Sequence, residues 1–315
     1  MTEPVDVRSL LDPEIAEVLA GLAIDLSQLS DHTLPLVRQE MASLPPMELS
    51  DSVTRKDFDI PRRFGASVRV HQPVGQNELL PCIYWMHGGG MVAGTNLNDD
   101  FRFDRWCQTF PCVGVSVQYA LAPETPFPGP LDDCYEGLRW VIDNAEHLGI
   151  DPSRVGIAGA SAGGGLAAGL ALLARDNAEF NIAFQLLIYP MIDDRMTTVS
   201  SQWDDPVWPP VANRYGWSSY LGALYGSDEV PYRAAPARAV NLAGLPPTFV
   251  CVGALDGFSD EDIDYAVRLR HAGVPTELLV YPGAPHGFDA FAPGTTVARR
   301  ARDDMDRWLA AAMIR

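Results

Sequence analysis

Gly159-Ala160-Ser161-Ala162-Gly163 sets one hydroxyl among small residues, directly after the strand-like run RVGIAG. A serine at a sharp strand-to-helix turn, with glycine two positions away on either side, is presented for attack on a carbonyl carbon; a Cβ at either glycine would collide with the turn. Such a serine needs a base near neutral pH to take its proton and a carboxylate to orient that base. Asp256 in GALDGFSDED and His286 in YPGAPHGF follow it in that order, each just after a strand-like run. Asp260 and Glu261 are rival acids, but both belong to the next helical stretch and are expected to point elsewhere. Among the six histidines, His286 is the one in the position after a strand that this order requires.

A second motif, His87-Gly88-Gly89-Gly90, ends the strand-like run PCIYWMH. Its glycines would leave the N–H groups of Gly88 and Gly89 free to join that of Ala162 around the oxyanion of a tetrahedral intermediate. Each such donor is worth about 3 kcal/mol of barrier. His87 has no orienting acid in view and reads as a brace for that loop. The run Gly88 to Ala93 also fits a degenerate dinucleotide fingerprint, which wants a helix opening at once and an acid about 20 residues on. Here the polar loop GTNLNDD intervenes and the next strand-like run ends in Gln118-Tyr119, so no dinucleotide is expected.

From about residue 53, short β-branched or aromatic runs alternate with amphipathic stretches, the pattern of an α/β protein: an eight-stranded, mostly parallel sheet flanked by helices. The strands expected are VTRKDFDI, SVRVHQP, PCIYWMH, CVGVSVQY, RVGIAG, FQLLIYP, PTFVCVGA and TELLVYP, the first two antiparallel because too few residues separate them for a crossover. Tyr84 and Trp85 on the central run read as packed under a helix. Residues 1–50 show helical patterning around EIAEVLAGLA and LVRQEMA, broken by Pro35 and ended by Pro45-Pro46. Residues 191–245 form a long insertion with its own helical run, NRYGWSSYLGALYG. These two segments are expected to pack together as a helical cap over the strands' carboxyl ends, leaving 51–190 and 246–315 as the catalytic core. Trp203, Trp208 and Trp217 either line a pocket there or form the insertion's own core.

Composition narrows the function classes. A formal charge of −18 and a pI near 4.6 would repel the phosphates of nucleic acid, so none is expected as a partner. No stretch reaches the ~20 uninterrupted apolar residues of a spanning helix. The opening MTEPVDVRSLLDPEIAEV carries acids where a secretory leader would be basic and then apolar, so a cytoplasmic location is expected. Five cysteines without a C-x-x-C pair read as buried free thiols, and the scattered histidines give no metal-ligand spacing. Neither a metal nor a cofactor is expected.

The chain resembles the hormone-sensitive lipase family of microbial esterases within the α/β-hydrolase fold. The ordered blocks are His87-Gly88-Gly89-Gly90, Tyr119-Ala120-Leu121-Ala122-Pro123-Glu124, Phe127-Pro128, Gly159 to Gly164, Tyr189-Pro190, Asp256 and His286-Gly287-Phe288. The resemblance implies a Ser161, Asp256, His286 triad and an oxyanion hole from Gly88, Gly89 and Ala162. It further implies a cap, and hydrolysis of small esters with short to medium acyl chains without cofactor; dimerisation through the last strand and helix is what relatives suggest. An amidase or N-deacetylase on the same triad, or a non-catalytic receptor of this fold, are the alternatives. Three positions depart from the family pattern: Ala160 stands for Asp, Ala120 for Arg and Gly257 for Pro. If that Asp and Arg support each other or the Glu124 loop, losing both avoids one buried unpaired charge.

Overall fold

A computed structural model describes residues 6–21, 26–43, 48–61 and 65–314. Two helices, α1 (Pro13–Leu19) and α2 (Leu34–Ala42), precede the sheet, and each has proline in its first turn, where the missing N–H is not needed. Pro35 therefore opens α2 instead of breaking a helix. Pro45-Pro46, and the end of the run EIAEVLAGLA, lie outside the described residues.

Eight strands follow: β1 (Val53–Asp59), β2 (Ser67–Pro73), β3 (Leu80–Met86), β4 (Val113–Gln118), β5 (Ile150–Ala160), β6 (Gln185–Ile188), β7 (Thr248–Gly253) and β8 (Thr276–Tyr281). They form one sheet in the order β1-β2-β4-β3-β5-β6-β7-β8. Only the β1–β2 and β2–β4 pairs are antiparallel. All seven residues of β3 are buried, as expected for a central strand covered on both faces. The register sets Met86 beside Gly159 and Ala160 beside Ile188, so the strands on either side of β5 end together at one edge.

Helices cover both faces because their apolar residues recur at helical spacing. On one face lie α4 (Gly129–Asp143), α5 (Ala162–Asn177) and α7 (Ser259–His271), whose Leu138, Leu170 and Leu269 share a core with Tyr84 and Val115. On the other lie α3 (Asp100–Thr109) and α9 (Thr296–Ala312). Ala298, Ala301, Met305 and Leu309 of α9 are wholly buried with Trp85 and Phe249, and each large side chain so buried stabilises by about 1.5–3 kcal/mol. Tyr84 donates to the Cys134 carbonyl of α4 at 2.9 Å and Trp85 to Asp99 at 2.8 Å, which fixes both under helices.

The insertion carries α6 (Pro210–Leu221), and the short α8 (Phe288–Phe291) follows β8. Tyr215 of α6 donates to Asp31 at 2.8 Å, tying the insertion to the segment before α2. α1 is tied to the core: Asp12 N–H reaches the Gly283 carbonyl at 2.9 Å and Glu14 accepts from the Thr296 hydroxyl at 3.0 Å. Among the described residues, no helix is long and apolar enough to cross a membrane.

Candidate active site

The site forms where β5 turns into α5. Ser161 stands between them at φ 57° and ψ −122°, a costly conformation for a residue with a Cβ. The turn is held from both sides: Ser161 N–H donates to the Ile188 carbonyl at 2.9 Å, and its own carbonyl accepts from Met191 at 2.9 Å and Gly165 at 3.0 Å. A Cβ on Gly159 would lie 2.2 Å from the Gly163 carbonyl oxygen, and one on Gly163 would lie 2.0 Å from that of Met86. Backbone approach, not flexibility, is what these glycines permit.

His286, on the loop after β8, sets Nε2 2.8 Å from Ser161 Oγ and Nδ1 2.8 Å from Asp256 Oδ2. Asp256, on the loop after β7, is buried, and its Oδ1 accepts the Phe258 N–H at 2.9 Å. The rings of Tyr189 and Phe258 pack edge-on to the imidazole, each at 4.9 Å. Burial alone would pull the imidazole below its ordinary pKa; the charge and hydrogen bond of Asp256, with smaller contributions from Asp205 and Asp289, outweigh it and hold the ring above that value. The rival acids serve elsewhere. Asp260 accepts the Ser200 N–H at 2.9 Å, and Glu261 accepts those of Ile192 and Asp193 at 3.1 Å each.

The glycine loop after β3 lies against the same turn: a Cβ on Gly88 would be 3.5 Å from that of Ser161. Among the described residues, the N–H groups of Gly88, Gly89 and Ala162 have no hydrogen-bond acceptor. His87 is buried beneath them, stacked on Tyr119 at 4.2 Å, with Nδ1 2.8 Å from the Gly88 carbonyl oxygen. Tyr119 donates to the His87 carbonyl at 2.7 Å. Burial pushes the His87 imidazole down to about 4, so it is neutral at pH 7 and braces the loop through Nδ1–H.

Over Ser161 opens a cavity of about 300 Å³ with mostly apolar walls. Leu29, Val37 and Met41 supply one wall from the N-terminal segment, Trp208 another from the insertion, and Phe101 and Phe291 line it as well. The Trp208 indole lies so close to Gly90 that a Cβ there would meet it at 2.1 Å. Of the three insertion tryptophans, Trp208 lines the cavity, Trp217 is wholly buried in the core and Trp203 is half-buried outside the cavity wall.

Three groups escaped sequence reading. Arg38 of α2 grips the loop of Glu124: its guanidinium makes 2.6 and 2.8 Å bonds to that carboxylate and donates to the carbonyls of Val92 at 2.7 Å and Ala122 at 2.9 Å. It draws the Glu124 carboxyl down to about 2. Glu124 therefore has a cation from 86 positions away, and the absence of Arg at 120 does not leave its carboxylate unpaired. Arg102 of α3 joins Asp99 at 3.0 Å and Asp289 at 2.9 Å, and Asp289 accepts from the Tyr189 hydroxyl at 2.6 Å, a buried row bordering the cavity. Asp205 binds the backbone of His286 at 2.9 Å. The one local signal for Asp205 is the turn-forming dipeptide Asp205-Pro206.

A mostly parallel sheet flanked by helices, with a serine elbow at its carboxyl edge and a histidine and an aspartate within reach of it, defines the class of α/β hydrolases. The family model described as the alpha/beta hydrolase fold matches residues 83–290, and the chain belongs to that family, in its hormone-sensitive-lipase-like branch. Carboxylesterase NlhH of Mycobacterium tuberculosis is 33% identical over 316 residues, covering 99% of this chain and 98% of its own. Ethyl acetate hydrolase of Pseudomonas putida is 28% identical, covering 88% of this chain and 92% of its own. Among solved structures, a bacterial heroin esterase superposes with a TM-score of 0.88 at 36% identity, over 97% of this chain and 98% of that one. The chain is a carboxylic ester hydrolase.

Proposed function

We propose that the protein is a serine carboxylesterase for small esters with short to medium acyl chains, working through an acyl-enzyme on Ser161. The observation that carries this reading is the unbroken hydrogen-bonded row from Asp256 through His286 to Ser161 at the foot of the cavity. His286 Nδ1–H donates to Asp256, which leaves Nε2 to take the Ser161 proton as Oγ attacks the ester carbonyl. The N–H groups of Gly88, Gly89 and Ala162 stabilise the oxyanion that forms. The alcohol leaves with the proton returned by His286, and water, activated by the same nitrogen, releases the acid.

A cavity of about 300 Å³ is at the small end for ligand pockets, and its apolar walls suit a short hydrocarbon chain. The similarity to a carboxylesterase and to an ethyl acetate hydrolase supports the same substrate class. In this reading residues 1–50, of which Leu29, Val37 and Met41 line the cavity, and the 191–245 insertion form the cap that keeps bulk water from the acyl-enzyme. The test is hydrolysis of p-nitrophenyl butyrate and palmitate by the wild type and Ser161→Ala. The butyrate is expected to be the better substrate, and the variant to lose roughly five to six decades of kcat. Near-normal turnover by the variant would overturn the assignment.

A further inference from the structure

Asp205 lies in the insertion, 81 positions before His286, yet its carboxylate is 1% exposed and fully engaged. Oδ1 accepts the N–H groups of Val207 at 2.7 Å and Trp208 at 2.9 Å, and Oδ2 accepts that of His286 at 2.9 Å. One side chain thus folds the turn that carries Trp208 into the cavity wall and grips the backbone of the histidine. Each of these partners is an N–H donor, so none needs Asp205 to keep a proton.

We infer that Asp205 is a positioning residue for the reaction: a second carboxylate that fixes His286 and, with Asp256, stabilises the imidazolium formed as Ser161 attacks. The inference rests on the triad reading above. It makes the insertion part of the catalytic apparatus as well as a wall of the pocket.

The charges around His286 favour this role. Asp256 faces the ring from the loop after β7, Asp205 from the insertion and Asp289 from α8, with the Tyr189 ring beside them. Asp289 is paired with Arg102 at 2.9 Å. Glu261 and Asp262 on α7 act on the Asp256 side, and burial, above all, pushes both carboxyls up toward their neutral forms. Among the described residues, Asp205 is thus the carboxylate at His286, besides Asp256, that has no cation of its own. Burial and the charge of Asp256 push the Asp205 carboxyl up, while His286 and the N–H donors pull it down. Protonation of His286 and ionisation of Asp205 therefore favour each other.

Asp205→Asn removes the charge at nearly constant shape. Asp205→Ser keeps a hydroxyl that can accept from the turn and carries the test if the first variant does not fold. Removing a negative charge lowers the pKa of His286, so the acid limb of kcat/KM moves to lower pH. The expected result is a midpoint lower by about one pH unit, a plateau kcat lower by about tenfold and KM changed by less than about threefold. A role confined to holding Trp208 would raise KM and leave the midpoint at the wild-type value; that outcome overturns the inference. Wild type and Ser161→Ala run in the same assay separate the two ideas. An active Ser161→Ala refutes the triad reading itself, whereas an inactive one with an unmoved midpoint in the Asp205 variants refutes only the role of Asp205.

Discussion

Two opposing effects meet at His286: burial favours the neutral ring, and the carboxylates around it favour the charged one. The carboxylates win, so the free enzyme is expected to gain its base only as pH rises past a value above the ordinary ~6.5 of histidine. A profile of kcat/KM for p-nitrophenyl acetate should therefore rise through an acid-limb midpoint above that figure; a midpoint below it would mean that desolvation dominates. Ser161, Asp256 and His286 could be picked out from sequence because each stands in a short local pattern just after a strand. Asp205 and Arg38 could not, since their roles depend on which distant backbone groups they meet. Nothing in Asp204-Asp205 says which carboxylate turns inward, and Arg38 sits among the ordinary polar residues of an amphipathic helix.

At the scale of elements, the eight strands were legible because a strand buried on both faces reads as a continuous apolar run, as all of β3 does. The N-terminal segment was harder: proline marks a helix start as readily as a break, and at position 35 it is a start. What α2 does depends on Arg38, whose bonds to Glu124, Val92 and Ala122 clamp the helix onto the loop beside Ser161, so that Val37 and Met41 face the cavity. The Arg38–Glu124 pair is partly exposed, so its worth lies more in this placement than in stability. Arg38→Ala is expected to raise KM for p-nitrophenyl butyrate about threefold to tenfold while kcat changes by less than about threefold. Steady-state kinetics showing KM unchanged would mean that α2 holds its place without the clamp.

The whole molecule is what assembles the row proposed to make a nucleophile of Ser161. His286 lies 125 positions after it and Asp256 30 positions before His286, so only the assembled sheet, with β5, β7 and β8 ending at one edge, brings the three into a single row. In the unfolded chain Ser161 is an ordinary hydroxyl. The most direct measurement is labelling with a fluorophosphonate probe, which bonds covalently to a serine activated by its base, followed by peptide mass spectrometry. The account predicts one adduct per folded chain, on the peptide containing Ser161, and none after unfolding in urea. A folded protein with no adduct there, or with its adduct on a different serine, would contradict it.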